Sequence, residues 1–334
     1  DVAPGAPAGI GAGDLAAGSP AASRRRPLRC ASCSGLFDLP YTQDPGAFRC
    51  PACRFELMDP FNAVVEPHGM LKLAVLSQPV LELALDLPEL RQWRRDGHEI
   101  ELRMVRADDG KVRHEWPRTL QCAANGHEIF AVNPPEEGHK RRDVPQGISA
   151  GLRHGLNSLS VRVGGASAAE FVLAVVRTRP VGIPELSLQV GSCDEPAASA
   201  RVRETLARQQ ALGGGPGEEL VCLSSDKLRL LCPITMDRIE VPVRGSRCEH
   251  LQCFGLEAYL TSNRQMRAFN NRWQCPVCSL VLRPRDLCRD AYVAGVLAAT
   301  GAEVEEVSVG AGGPLSRGPA AEPGAAGAGP AGAA

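Results

Sequence analysis

Apolar and polar residues alternate along "HEIELRMVR", with Ile100, Leu102 and Met104 set against Glu99, Glu101 and Arg103. That is the two-residue period of a strand with one face in a core. "LSVRV" repeats it with Leu159, Val161 and Val163, while "EFVLAVV" is apolar almost throughout, the pattern of a central strand covered on both faces. Asn125-Gly126 and Gly164-Gly165 supply turns between such runs. Residues 64–184 therefore predict an all-β domain, and a two-sheet sandwich is the packing that buries one face of each strand. Further on, "ASARVRETLARQQAL" places Val202, Leu206 and Leu212 at roughly helical spacing until "GGGPGEE" ends the pattern, which predicts a linker with a helix over 185–226.

Outside these segments the composition changes. Residues 1–26 and 301–334 are dominated by Ala, Gly and Pro, too poor in large apolar side chains to offset the entropy of ordering, so both read as disordered tails. The longest wholly apolar run, Phe171 to Val176, is far short of the roughly 20 residues that cross a bilayer, which predicts a soluble protein with no membrane partner. The first residues lack a charged start followed by an apolar block and do not read as a secretory signal. A formal charge of −1 over 334 residues leaves no global attraction to nucleic acid, so any such contact is local.

The 13 cysteines change the picture most. Their clustering points to zinc in a reducing compartment rather than to disulfides. Cys30 and Cys33, then Cys50 and Cys53, form two Cys-x2-Cys pairs with the spacing of a four-cysteine zinc knuckle, which defines a small module over 27–61. Near the other end, "RCEHLQCF" holds Cys248, His250 and Cys253, and "WQCPVCSL" holds Cys275 and Cys278. Set on the order of an eight-ligand RING finger, Cys248, His250, Cys275 and Cys278 make one complete Cys3His site. The other site fails, because the partners expected beside Cys232 and Cys253 are Thr235 and Leu256. Two structural zinc ions are expected in all, with Cys232 and Cys253 as buried thiols. Cys122, Cys193, Cys222 and Cys288 have no partnered base in view and read as inert.

The run "LRLLCPITMDRIEVPVRGSRCEHLQCFGLEAYL" followed by "WQCPVCSLVLRPRDL" resembles the SP-RING (MIZ) zinc finger of the Siz/PIAS family of SUMO ligases, with the α+β finger and its extension over 227–300. "WPRTLQCAANGHEIF", "RRDVPQGIS" and "LNSLSVRV" resemble that family's PINIT domain, with Ser149 where its signature has threonine. "FRCPACRFELMDPF" is similar to the end of the PHD finger of plant-type Siz ligases, reduced here from eight ligands to four. The expected architecture is thus multidomain: a small N-terminal zinc module, a PINIT-like sandwich, an SP-RING finger and Ala/Gly/Pro tails.

The resemblance implies a nuclear SUMO-protein ligase whose partners are the SUMO-conjugating enzyme, SUMO and protein substrates, with chromatin as a candidate partner. Ile234, Trp273 and Pro276 are the residues it implies at the conjugating enzyme. Four protein ligands leave zinc no open position, so the metal is a clamp and no residue of this chain is catalytic in the chemical sense. A chromatin or transcription scaffold and a ubiquitin ligase are the alternatives. The missing first zinc site, and Ser279 where many ubiquitin RINGs place a basic residue, argue against the latter. "EVEEVSV" from Glu303 to Val309 loosely resembles a SUMO-interacting strand, and "HKRR" before Asp143 is a basic run that could meet an acidic partner.

Overall fold

The computed structural model describes residues 27–37, 48–66, 69–164, 171–213, 227–310 and 313–316. The chain divides into two units, Asp1–Gly182 with Met266–Arg272, and Ile183–Gln265 with Trp273–Ala334. Residues 1–26, Cys222 and residues 317–334 lie outside the described residues.

The first unit opens on a hairpin of β1 (Leu28–Arg29) and β2 (Leu36–Phe37), whose turn carries Cys30 and Cys33. In α1 (Pro51–Met58), Cys50 is the N-cap and Pro51 the first residue, where proline's missing N–H is no loss. Strands β3 (Asn62–Val64), β4 (Met70–Val75) and β5 (Val80–Leu87) lead through α2 (Leu90–Arg95) to β6 (Glu99–Arg106). Then come β7 (Thr119–Ala124), β8 (His127–Val132), β9 (Gln146–Gly147), β10 (Gly155–Gly164) and β11 (Phe171–Pro180). One sheet runs β5-β10-β7-β8 and the other β3-β11-β6-β9, with β4 also paired to β11. Leu85, Leu120, Leu159 and Val161 of the first meet Ile100, Leu102, Met104 and Leu173 of the second in one core, which is the expected sandwich. Asn125 and Gly126 both have positive φ, 52° and 83°, as a tight hairpin between β7 and β8 requires.

Strand β6 departs from its pattern. The alternation predicts Glu101 and Arg103 in solvent, yet they are 8% and 0% exposed. The cause is α1, which lays Phe55 and Met58 on that face with Val105, Val172, Ala174 and Val176. Arg103 pairs with Glu101 at 2.8 Å and donates to the carbonyls of Phe55 and Asn62, each at 2.7 Å. Burial pushes the Glu101 carboxyl up while Arg103 opposes the shift. Ser149 fastens the segment after β9 to β6: its Oγ accepts the Ile100 N–H at 2.8 Å and its own N–H donates to Glu99 Oε1 at 3.1 Å.

The second unit begins with α3 (Ile183–Leu188), β12 (Gly191–Cys193) and α4 (Glu195–Gly213). It continues through β13 (Lys227–Arg229), β14 (Pro242–Gly245), β15 (Phe254–Gly255), α5 (Leu256–Gln265), β16 (Leu287–Asp290), α6 (Ala291–Ala299), β17 (Glu306–Gly310) and β18 (Gly313–Ser316). The sheets are β12-β16-β14-β15 and β13-β17-β18. The predicted helix is α4, with Val202 and Leu206 buried; the side chain of Leu212 is outside the described residues. Arg201 donates to the Gly245 carbonyl at 3.1 Å, and β12 runs parallel to β16, so this stretch packs as part of the unit.

Order also extends past residue 301. Val307 and Val309 of β17 are buried, and β13 and β18 pair with its two edges. Residues 306–309 of the string Glu303–Val309 therefore lie in a strand paired on both sides among the described residues, which leaves that part no free edge to add to another protein's strand.

Candidate metal centres and docking face

In the second unit, one ligand atom from each of Cys248, His250, Cys275 and Cys278 lies within 4.8 Å of the others. The sulfur of Cys248 is 3.9 Å from that of Cys275 and 3.7 Å from that of Cys278. A tetrahedral zinc with Zn–S near 2.3 Å sets its sulfurs about 3.8 Å apart, so the donor set fits zinc. His250 is oriented for it: its Nδ1–H donates to the Gln252 carbonyl at 2.8 Å, leaving Nε2 to face the cluster, 3.3 Å from Cys275 Sγ. The Cys275 thiol is held down at about 3, chiefly by the hydrogen bond from Cys248 and further by His250, whereas Cys248 is pushed up by its bond to Cys275 and by burial. Negative charge concentrated in this way suits a divalent cation.

In the first unit the same holds for Cys30, Cys33, Cys50 and Cys53, again within 4.8 Å, with Cys33 and Cys50 sulfurs 3.8 Å apart. Backbone amides help, since the Cys50 N–H donates to Cys30 Sγ at 3.2 Å and that of Ser32 to the same sulfur at 3.4 Å. The Cys50 thiol is lowered to about 6, first by the hydrogen bond from Cys53. Cys30, Cys50 and Cys53 are buried around Phe48, so the metal site and a small apolar cluster are one structure.

Three loops share one knuckle. In each, the first cysteine's carbonyl accepts the N–H four residues on and its N–H donates to the carbonyl five residues on. The distances are 2.9 and 2.9 Å at Cys30, 2.8 and 2.7 Å at Cys232, and 3.0 and 2.8 Å at Cys275. In each, the fifth residue is left-handed: Ser34 at φ 60°, Met236 at 63° and Ser279 at 62°. The knuckle at Cys232 thus has the zinc-loop backbone with Thr235 in place of the second sulfur. Cys232 Sγ accepts the Gly255 N–H at 3.3 Å, and Cys253 is fully buried, its thiol raised by that burial. Both are the buried thiols expected. What sequence reading missed is the ion pair Arg244–Asp290, 2.7 Å long and almost wholly buried, with Arg244 also donating to the His250 carbonyl at 2.9 Å. Proximity of Asp290 in space to the Pro-x-Arg-Gly arginine leaves no mark on the linear chain.

The residues expected at a docking face separate. Ile234 is half-buried and Pro276 exposed, as a contact needs. Trp273 is instead a core residue, 3% exposed, its backbone N–H donating to Asn263 Oδ1 and its ring edge-on to Tyr259 at 6.3 Å. A side chain so enclosed shapes the loop from beneath and presents no surface. The knuckles expose other apolar groups, Met236 on one and Val277, Leu280 and Val281 on or beside the other. Their only signal in the sequence is an apolar residue flanking a metal loop. Of the lone cysteines, Cys122 is buried in the sandwich core with its thiol pushed up to about 12, while Cys193 and Cys288 sit on paired strands β12 and β16.

The MIZ/SP-RING zinc finger description matches residues 228–281. The human zinc finger MIZ domain-containing protein 1 is 27% identical over 255 residues, covering 74% of this chain and 23% of that protein. The E3 SUMO-protein ligase SIZ1 of Arabidopsis thaliana is 26% identical over 258 residues, 70% of this chain and 28% of that one. This chain therefore spans about a quarter of the length of these relatives. Among solved structures, the SUMO E3 ligase SIZ1 of S. cerevisiae aligns with a TM-score of 0.52 at 18% identity, over 88% of this chain and 99% of that one, a likeness of fold.

Proposed function

We propose that this chain, of the Siz/PIAS family by its MIZ/SP-RING finger and its relatives, is a SUMO-protein ligase that docks a SUMO-charged conjugating enzyme on the two knuckles at Cys232 and Cys275. The observation that carries the reading is the pairing of a closed Cys3His cluster with apolar groups exposed on both knuckles. Zinc held by Cys248, His250, Cys275 and Cys278 has no open position, so when bound it fixes loops and activates no water. Ile234 and Pro276, joined by Met236 and Val277, supply the apolar contact. No nucleophile is required here, because the conjugating enzyme carries SUMO as a thioester and the substrate lysine attacks it. The ligase contributes proximity and orientation. Cys30, Cys33, Cys50 and Cys53 hold a second structural zinc. SUMO, its conjugating enzyme and protein substrates are the partners, and the nucleus, with chromatin among its contents, is the compartment.

The test is single-turnover discharge of SUMO from its conjugating enzyme to free lysine, with and without this chain. Acceleration is expected, and Ile234→Ala should remove most of it while zinc content and melting temperature stay unchanged. Trp273→Ala should instead cost about 3–5 kcal/mol of stability, as core truncations do. Acceleration of ubiquitin discharge alone would make the chain a ubiquitin ligase; no acceleration of either would leave a scaffold.

A further inference from the structure

The first unit holds a groove of about 920 Å³ whose wall includes the basic run at residues 139–142. All of its lining residues belong to that unit. Five cations line it, Arg113, Arg118, Lys140, Arg141 and Arg142, against the two acids Glu115 and Asp143. Two of the cations are committed. Arg141 Nε binds Asp143 at 2.6 Å, and Arg113 lies 3.9 Å from Glu115. Arg118, Lys140 and Arg142 remain, all exposed, so the groove presents three positive charges that no acid in it answers.

The wall that carries them is built. The Arg141 guanidinium fans into the carbonyls of Trp116 at 2.8 Å, Pro117 at 2.9 Å, Arg118 at 3.0 Å and Asn133 at 3.1 Å, as well as Asp143. One buried-side fork thereby ties the chain on both sides of the loop between β8 and β9 to the segment before β7, and fixes where Lys140 and Arg142 start from. Across the groove, Asn270 accepts the His114 N–H at 3.0 Å and donates to its carbonyl at 2.8 Å, which pins the segment 268–271 that forms part of the lining. Preorganised cations lose less freedom on meeting a carboxylate.

We infer that this groove binds an acidic peptide segment, a run of Asp and Glu side chains laid along Arg118, Lys140 and Arg142. Nucleic acid fits less well. Binding of single strands relies on open aromatic faces, and Trp116 is buried, with its Nε1–H given to the Val144 carbonyl at 3.0 Å and its ring packed edge-on to His114 at 4.4 Å. The loop also carries Glu136 and Glu137, both exposed, which a continuous phosphate backbone would have to pass. The volume lies in the range of a site for a few residues of extended chain, and Pro134, Pro135 and Phe269 give it apolar floor between the charges.

Binding can be read without any conjugation reaction, so its failure and failure of the ligase reading are separate events. The zinc-loaded full chain is titrated into a fluorescently labelled Asp/Glu-rich peptide and followed by anisotropy, with its phosphoserine counterpart, its Asn/Gln counterpart and oligo(dT) of equal charge as the other arms. Binding of the acidic peptide is expected, weakening as salt rises. The triple reversal Arg118→Glu, Lys140→Glu, Arg142→Glu should weaken it by at least about tenfold. A control reversal of the same net charge, Lys72→Glu, Arg91→Glu, Arg162→Glu, should change it little. Equal melting temperatures and zinc content would show both variants folded; if the triple variant is not, Lys140→Gln with Arg142→Gln replaces it. Tighter binding of the phosphorylated arm would assign phosphorylated acidic segments as the ligand. Equal loss in both reversals, equal binding of the Asn/Gln peptide, or tighter binding of oligo(dT) would overturn the proposal.

Discussion

Within the second unit, the loops at 275–280 and 232–237 turn through the same backbone and are fastened differently. Each has the two hydrogen bonds of the knuckle and a left-handed fifth residue. The loop at Cys275 is joined to its surroundings by the Cys3His cluster. The loop at Cys232 is joined by hydrogen bonds: Gly255 N–H to its sulfur, and, from the adjoining Arg238, donations to the carbonyls of Val304 at 2.7 Å, Leu297 at 3.1 Å and Thr300 at 3.1 Å. Close by in the sheet, the Arg244–Asp290 pair links β14 to β16, and Asp290 also caps α6 through the Val293 N–H at 3.0 Å. The turn is therefore a property of the local sequence, and metal is one of two ways to anchor it. Metal concentrates the anchoring in four ligands, whereas the hydrogen-bonded corner spreads it over several side chains.

The comparison can be broken at its strong end first. Cys275→Ser should lower the zinc count by native mass spectrometry from two to one and remove an apparent stabilisation of the order of 10 kcal/mol, enough to unfold a module of this size. The N-terminal cluster should keep its ion. A folded second unit without its zinc would show that the corners are equivalent after all.

At the metal-free corner no single change should be as severe. Asp290→Ala strands Arg244 in the interior and should cost about 3–5 kcal/mol in denaturant unfolding, with both zinc ions retained. Replacing the pair together, Arg244→Met with Asp290→Leu, should cost less than Asp290→Ala alone, because no buried charge is left unpaired. Loss of zinc in Asp290→Ala would mean that the two corners are one cooperative site.

Smaller effects sharpen the contrast. Cys232→Ala should cost about 1–2 kcal/mol, from a small cavity and one unaccepted amide, and should leave the zinc count at two. Met236→Gly should move stability by less than about 1 kcal/mol, since relief of the left-handed backbone opposes the added freedom of the unfolded chain, yet it should weaken docking by removing an exposed apolar side chain. Calorimetry and a conjugating-enzyme binding isotherm read the two separately.

Much of this is legible in the linear chain because it depends on near neighbours. The alternation in Ile100, Leu102 and Met104 fixes which face of β6 enters the sandwich core, Asn125-Gly126 fixes a hairpin, and Cys-x2-Cys pairs fix zinc knuckles, since each is a matter of spacing along one segment. The Thr235 and Leu256 substitutions likewise announce a missing metal site without any structure. Tertiary structure alone decided what covers the other faces. Glu101 and Arg103 are buried because α1 arrives from some 40 residues upstream, Trp273 is core because α5 packs over it, and β17 is closed because β13 and β18 pair with its two edges. Period and spacing specify how a segment folds on itself, whereas burial of a polar face or pairing of a strand edge depends on which distant segment supplies the partner, and one sequence read locally carries no coordinate for that.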